Sequence, residues 1–361
     1  MTMSRRTFVA LLSSGALAWP RRRAFAAKEF EGQTLRVAMW GGGWNRGLNE
    51  FVGKPFMEKT GAKVEYVIGN PREHLAKLIA TRGQEPPFDV VQVDDSVKEQ
   101  VLRLNLAEKL DLSRIPNVKH IVRALNEQPE LGPTFMIIPV GIAYNTAKFK
   151  EAGIPAPTTW DVLWDPRVAG KVAIPDLNVV MGVHTLMAAA QRAARNPYDY
   201  EAGIAELKKI KLNHIYSSPV EVATQVTAGN VWVLAWTEGR ANELRFRDFP
   251  ILYVNAITGG KKGSLDVDSI HLVRGSSKKA LAEVYIDMTL DPEAQLKFAK
   301  AEGWTPAVTP ALESLKADPV WRERLAILDE KSVDEAFHPD WKILNKNWSD
   351  IVSKWNRALK Q

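Results

Sequence analysis

The 361-residue chain has no cysteine. That absence removes disulfide bridges, thiolate nucleophiles and cysteine metal sites together. Histidine is scarce: six residues, dispersed, with no His-Glu-x-x-His pair. No Gly-x-Ser-x-Gly elbow appears beyond the N-terminal segment. No run approaches the roughly 20 apolar residues that span a bilayer as a helix. The glycine run Gly41-Gly42-Gly43 does not make a nucleotide loop. A phosphate loop needs Gly-Lys-Ser/Thr, but Gly47 is followed by Leu48; a dinucleotide turn from Gly41 needs glycine at 46, where Arg46 stands. Carboxylates are plentiful, yet no pair at a catalytic spacing can be argued from the sequence. No catalytic, metal or cofactor residue is assigned. A secreted hydrolase keeps only negative support, and turnover would separate it from a binder, which returns its ligand unchanged.

A real basic excess is also missing. The chain carries 48 Lys+Arg against 42 Asp+Glu, but residues 1–26 hold five arginines and no acid, so 43 face 42 in the remainder, about +1. That balance, without a basic stripe among aromatics, argues against nucleic acid as a partner.

What is present begins with an address. Ser4-Arg5-Arg6-Thr7-Phe8 precedes an apolar run from Val9 to Trp19, then Arg21–Arg23 and Ala24-Phe25-Ala26. A basic start, a short apolar middle and an A-x-A end read as an export signal over residues 1–26, cleaved after Ala26. The paired arginines resemble a twin-arginine signal; the alternative is an ordinary secretory signal. An exported chain of this length can bury a large core without bridges, and the length suits two domains.

The rest of the chain alternates strands and helices. Leu35–Trp40, Val64–Ile68 and Phe88–Val93 are strand candidates, separated by helical patterns over Asn49–Thr60 and Glu73–Arg82. That order marks a parallel sheet covered by helices, whose ligands sit beyond the carboxyl ends of strands. The rule points to Trp40–Trp44 and Asp94–Ser96. Phe135–Tyr144 is a long apolar run containing Pro139 and Gly141. Val180–Arg195, Tyr200–Lys211 and Ser277–Thr289 are helical, and Asp291-Pro292 opens a helix that Gly303 ends. Val231–Trp236, Ile251–Val254 and Leu265–Val273 are strands. Trp321, Trp341, Trp348 and Trp355 are packing anchors of a charged, helical C-terminal part. Pro157–Asp176 (PTTWDVLWDPRVAGKVAIPD) reads as a packed corner: Thr159 caps a short helix with Trp160 and Trp164, Asp165-Pro166 ends it, and a short strand closes at Pro175.

This corner also resembles a segment of bacterial extracellular solute-binding proteins, with the spermidine/putrescine-binding proteins of ABC importers as the nearest named relatives. Leu110–Asn117 (LDLSRIPN), Val140–Thr146 (VGIAYNT), Ala235–Trp236 and Trp304–Pro306 match in the same order. The resemblance implies a two-lobed α/β periplasmic binding protein (type II) with a ligand cleft between lobes. Phe135–Tyr144 and Leu265–Val273 would be the crossing strands. Lobe one would hold 28–138 and 267–305, lobe two 139–266, with 306–361 as helices packed on both. It further implies a monomer in the periplasm whose partners are a small-molecule ligand and an ABC permease of the inner membrane.

Site residues follow from both sources. Trp40 matches the aromatic after the first strand of polyamine binders, and Trp44 lies across the glycine run. Asp94-Asp95-Ser96 matches the turn after the third strand, though both aspartates have an alternative role as helix caps. Trp236 matches a strand-ending tryptophan. Glu238 either faces the ligand or pairs with Arg240. Asp268 matches an acid on the returning strand, where Asp266 replaces a second aromatic. Carboxylates and indole faces together hold an ammonium. Two departures from polyamine binders stand out: Asp266 itself, and Leu177-Asn178-Val179-Val180, which offers no acid. A shorter amine, or a zwitterion whose carboxylate meets Arg240, Arg46 or backbone N–H groups, fits the residues as well, and an organic anion is a further alternative. Ferric iron fits poorly, since Tyr198 and Tyr200 are not adjacent. Asp268→Asn and Trp236→Ala are each expected to weaken binding without unfolding the protein.

Overall fold

The computed structural model describes residues 29–360, so the export-signal reading of residues 1–26 lies outside it. Among the described residues, ten strands form one sheet: β1 (Thr34–Met39), β2 (Lys63–Ile68), β3 (Val90–Asp94), β4 (Thr134–Asn145), β5 (Val172–Pro175), β6 (Leu212–Tyr216), β7 (Val233–Thr237), β8 (Ile251–Val254), β9 (Ser264–Leu272) and β10 (Thr305–Pro306). The order is β2-β1-β3-β9-β4-β7-β5-β6, with β8 and β10 each pairing β4.

Two parallel wings result. In one, β1 lies between β2 and β3; in the other, β5 lies between β6 and β7. Strands β9 and β4 stand between the wings, antiparallel to each other, with β9 on β3 and β4 on β7. The first part of β4 pairs β9 up to Val140, and the part from Val140 onward pairs β7 and β8. All twelve residues of β4 are buried, as its apolar composition requires for a strand covered on both faces. Gly141 is needed within it: a Cβ there would lie 2.3 Å from the Val254 carbonyl oxygen of the paired β8. The chain is a two-lobed α/β protein, as the sequence implies.

Local chemistry explains most element ends. Asn70 and Glu73 form a reciprocal capping box that starts the helix Pro71–Ala80. Asp291 caps Pro292–Glu302, and Gly303 ends that helix at φ 79°. In the corner, Thr159 caps the turn Trp160–Trp164 and Asp165 caps Pro166–Val168. Trp160 Nε1 donates to Thr258 Oγ1 at 2.9 Å and Trp164 Nε1 to the Glu206 carbonyl at 3.0 Å, so both indoles serve packing.

Three details differ from expectation. The first helix begins at Gly43 rather than Asn49 and reaches Thr60 through a π turn at Asn49–Gly53. Gly42, at φ 78°, turns the chain sharply after β1, and Trp44 and Leu48 are already buried one turn apart. Strand β6 has no counterpart in the sequence reading, because Asn213 and His214 interrupt its apolar pattern. Pro175 is the last residue of β5 rather than its boundary.

The C-terminal helices Trp341–Lys346 and Trp348–Leu359 touch both wings. Asn345 donates to Glu99 at 3.1 Å on the first, and Tyr200 on the second donates to Asp350 at 2.6 Å. Trp321, Trp341 and Trp355 are buried anchors. Trp348 is half-buried, with the Arg72 guanidinium 4.1 Å from its ring centroid.

Candidate ligand-binding site

In each wing the central strand has parallel neighbours on both sides, and such a point opens a crevice at the carboxyl ends. Trp40 follows β1, Asp94 ends β3, Thr237 ends β7, and Val180 and Met181 open the helix after β5. All of these line one narrow cavity, whose free space is about 40 Å³. Strand β9 adds Asp266 and Asp268, two residues apart and therefore on one face.

Three carboxyls thus share one wall. Asp94, Asp266 and Asp268 are 3%, 1% and 3% exposed. Asp94 and Asp268 are register partners across β3 and β9. Ser96 Oγ donates to Asp94, and the Asp95 backbone N–H donates to Asp266 at 3.2 Å. Among the described residues, no hydrogen-bond donor reaches the Asp268 carboxyl. Burial pushes all three carboxyls above the usual carboxylate range, and the neighbouring acids push Asp266 and Asp268 further. At Asp94 the Arg72 guanidinium opposes the rise. Among the described residues, no cluster of His, Cys, Asp and Glu has the arrangement to hold a metal ion.

The other walls are aromatic, apolar and cationic. Trp44 is fully buried, donates to Gln92 Oε1 at 2.8 Å and meets the Trp304 ring edge-on, centroids 4.7 Å apart. Trp304 also lines the cavity, and its indole N–H has no partner among the described residues. The Arg240 guanidinium lies 5.1 Å from the centroid of Trp304, donates to Glu243 at 2.9 Å and crosses to the Gly41 carbonyl at 3.2 Å. The glycine run makes this crossing possible. A Cβ on Gly42 would lie 2.9 Å from Arg240 Nη1, and one on Gly43 would lie 2.4 Å from carboxylate oxygens of Glu243 and Glu302.

Of the eight expected residues, Trp40, Trp44, Asp94, Asp266 and Asp268 come together at the cavity. Three lie elsewhere. Asp95 is half-buried behind Asp266, and burial pushes its carboxyl up to about 7. Trp236 faces a separate groove with Gly42, Arg46 and Val220, because alternation on β7 sends it opposite to Thr237. Glu238 is fully buried and pairs neither with Arg240 nor with the cavity: it accepts from Thr305 Oγ1 at 2.8 Å and from the Ala326 backbone at 2.6 Å. Thr237 and Trp304 were absent from the expected set. Trp304 was visible only as the start of Trp-Thr-Pro, and its meeting with Trp44, far away in sequence, is a tertiary event.

A two-lobed α/β frame whose strand ends converge on a small, partly aromatic cavity is the architecture of a binding protein that encloses a solute. A family model described as bacterial extracellular solute-binding protein matches residues 85–335. The chain belongs to that family. The spermidine/putrescine-binding periplasmic protein 1 of Haemophilus influenzae is 24% identical over 304 residues, covering 82% of this chain and 79% of that protein. The gamma-aminobutyric acid-binding protein of Pseudomonas aeruginosa is 25% identical over 321 residues, covering 86% and 83%. A crystal structure of an ABC transporter from Clostridium perfringens superposes with a TM-score of 0.68 at 26% identity, covering 90% of this chain and 99% of that one.

Proposed function

We propose that the protein captures a small solute bearing a cationic amine and delivers it to the permease of an ABC importer. One observation carries the reading: three buried carboxyls, Asp94, Asp266 and Asp268, line one wall of a cavity whose other walls are indoles, apolar side chains, Thr237 and Arg240. Buried acids of this kind are costly unless a cation partners them. An ammonium satisfies them by charge-assisted hydrogen bonds while its methylenes lie on Trp40, Trp44 and Trp304. Trp40, Trp44, Asp94, Asp266 and Asp268 are the proposed ligand residues, with Arg240 and Trp304 added. Relatives that bind spermidine/putrescine and gamma-aminobutyric acid support the amine class. Strands β4 and β9 act as the hinge between lobe one (28–138 and 267–305) and lobe two (139–266). The protein acts as a monomer in the periplasm after export on its N-terminal signal, and it performs no chemistry on its ligand.

A specific observation favours a zwitterion over a linear polyamine. All the cavity's acids stand on β3 and β9, and the wing opposite contributes Arg240 and Thr237. A second ammonium finds no carboxylate there, whereas a ligand carboxylate finds donors. The test is native mass spectrometry of the exported protein with identification of the released molecule, followed by calorimetry with putrescine, spermidine and γ-aminobutyrate. Micromolar or tighter binding of an amine supports the reading. Release of an organic anion or sugar, with no binding of the three amines, overturns it.

A further inference from the structure

We propose that the Asp266–Asp268 pair on β9 holds a proton until a cationic amine displaces it, so that capture exchanges an ammonium for a proton. The inference rests on the amine reading above and adds what that reading leaves open, the charge state in which the cavity meets its ligand.

The charges around the pair decide this. Asp94 and Asp95 face it from the end of β3. Asp94 feels the charge of Arg72, which lies on the helix Pro71–Ala80 against the Trp348 indole and makes no ion-pair contact with Asp94 among the described residues. Asp95 has Lys98 on its own helix, with Glu127 acting against it. Arg240, across the cavity, donates to Glu243 and to the Gly41 carbonyl and makes no ion pair with either β9 carboxyl among the described residues. Asp266 and Asp268 have no cation of their own among the described residues, and their charged neighbours are acids. Asp266 receives one backbone hydrogen bond and Asp268 none. Two such carboxyls, side by side on one strand face, nearly without solvent and with Asp94 as a register neighbour, cannot both ionise. Burial and the neighbouring acids shift both toward the neutral form.

The exchange balances. A protonated amine enters, the carboxyl O–H ionises, its proton passes to water, and the ammonium then donates to the new carboxylate. The cavity's net charge is the same before and after. Because protons and amine compete, the apparent Kd rises about tenfold per pH unit for each proton exchanged, below the pH at which the pair ionises. Arg72 is a positioning residue: it opposes the rise at Asp94 and so biases the proton toward β9.

Infrared difference spectroscopy on the exported protein, stripped of ligand, reads this directly. The protonated-carboxyl stretch at pH 7 is expected to shrink in Asp266→Asn/Asp268→Asn and to grow in Arg72→Met, where Asp94 joins the protonated set. Putrescine and γ-aminobutyrate serve as probes. Binding should bleach the stretch, and calorimetry in two buffers of different ionisation enthalpy should count at least one proton released. A stretch unaffected by the double substitution overturns the proposal. A probe that binds without bleaching or proton release overturns the exchange but leaves the amine reading standing. A protonated pair in a protein that binds neither probe overturns the amine reading and the exchange with it.

Discussion

Glu238→Gln separates a structural acid from a ligand acid. Glu238 is fully buried, and desolvation pushes its carboxyl from 4.5 up to about 7 despite bonds from Thr305 and Ala326. The folded state therefore binds this proton more tightly than the unfolded chain. Its contribution to stability is full below about pH 4.5 and is lost as the pH rises through about 7. At about 1.4 kcal/mol per pKa unit, the loss amounts to about 3 kcal/mol. Glutamine does not titrate, and it can accept from the Ala326 N–H while donating to the Thr305 hydroxyl. Urea unfolding of both proteins from pH 5 to 8, followed by tryptophan fluorescence, should show the variant gaining on the wild type as the pH rises. Other titrating groups are common to both and cancel. Affinity for putrescine or γ-aminobutyrate should be unchanged, because Glu238 does not line the cavity. Parallel stability curves would refute the burial argument, and a large loss of affinity would place Glu238 back in the site.

Asp268→Asn should weaken amine binding by about 1.5–3 kcal/mol, the worth of a hydrogen bond to a charged group, without lowering the melting temperature; calorimetry and thermal melts check it. Trp236→Ala now carries a different expectation from the one the sequence supports: with the side chain 1% exposed, it should cost about 3–5 kcal/mol of stability, measured by urea unfolding. Gly239→Ala places a Cβ 2.4 Å from the Trp304 ring. It should cost about 1–3 kcal/mol by overpacking and weaken amine binding by displacing Trp304; wild-type affinity would contradict the role given to that ring.

Much of the frame was legible because its causes are local. The alternation of apolar runs with helical patterns over the first three strands predicts one parallel wing, and the resemblance marks Phe135–Tyr144 as a crossing strand; the second wing was only partly legible because β6 was missed. Asp266 and Asp268 were legible as a pair because a spacing of two on a strand fixes one face. The same period misled at β7. Trp236 and Thr237 are neighbours, only one can face the cavity, and the sequence does not say which. Glu238 looked like a ligand or surface acid because its partners, Thr305 and Ala326, lie 67 and 88 residues away.

By itself, then, the sequence determined most element types, the strand–helix alternation from β1 to β3 and the chemical character of the candidate residues. These depend on backbone sterics, hydrophobic period and capping, which act within a few residues. Only the tertiary structure decided which side chains share the cavity. It set Trp304 against Trp44, placed Arg240 opposite the acids, and left Asp266 and Asp268 without a cation among the described residues. Long-range packing brings such groups together, and the electrostatics of a buried carboxyl depends on every charge that packing places beside it.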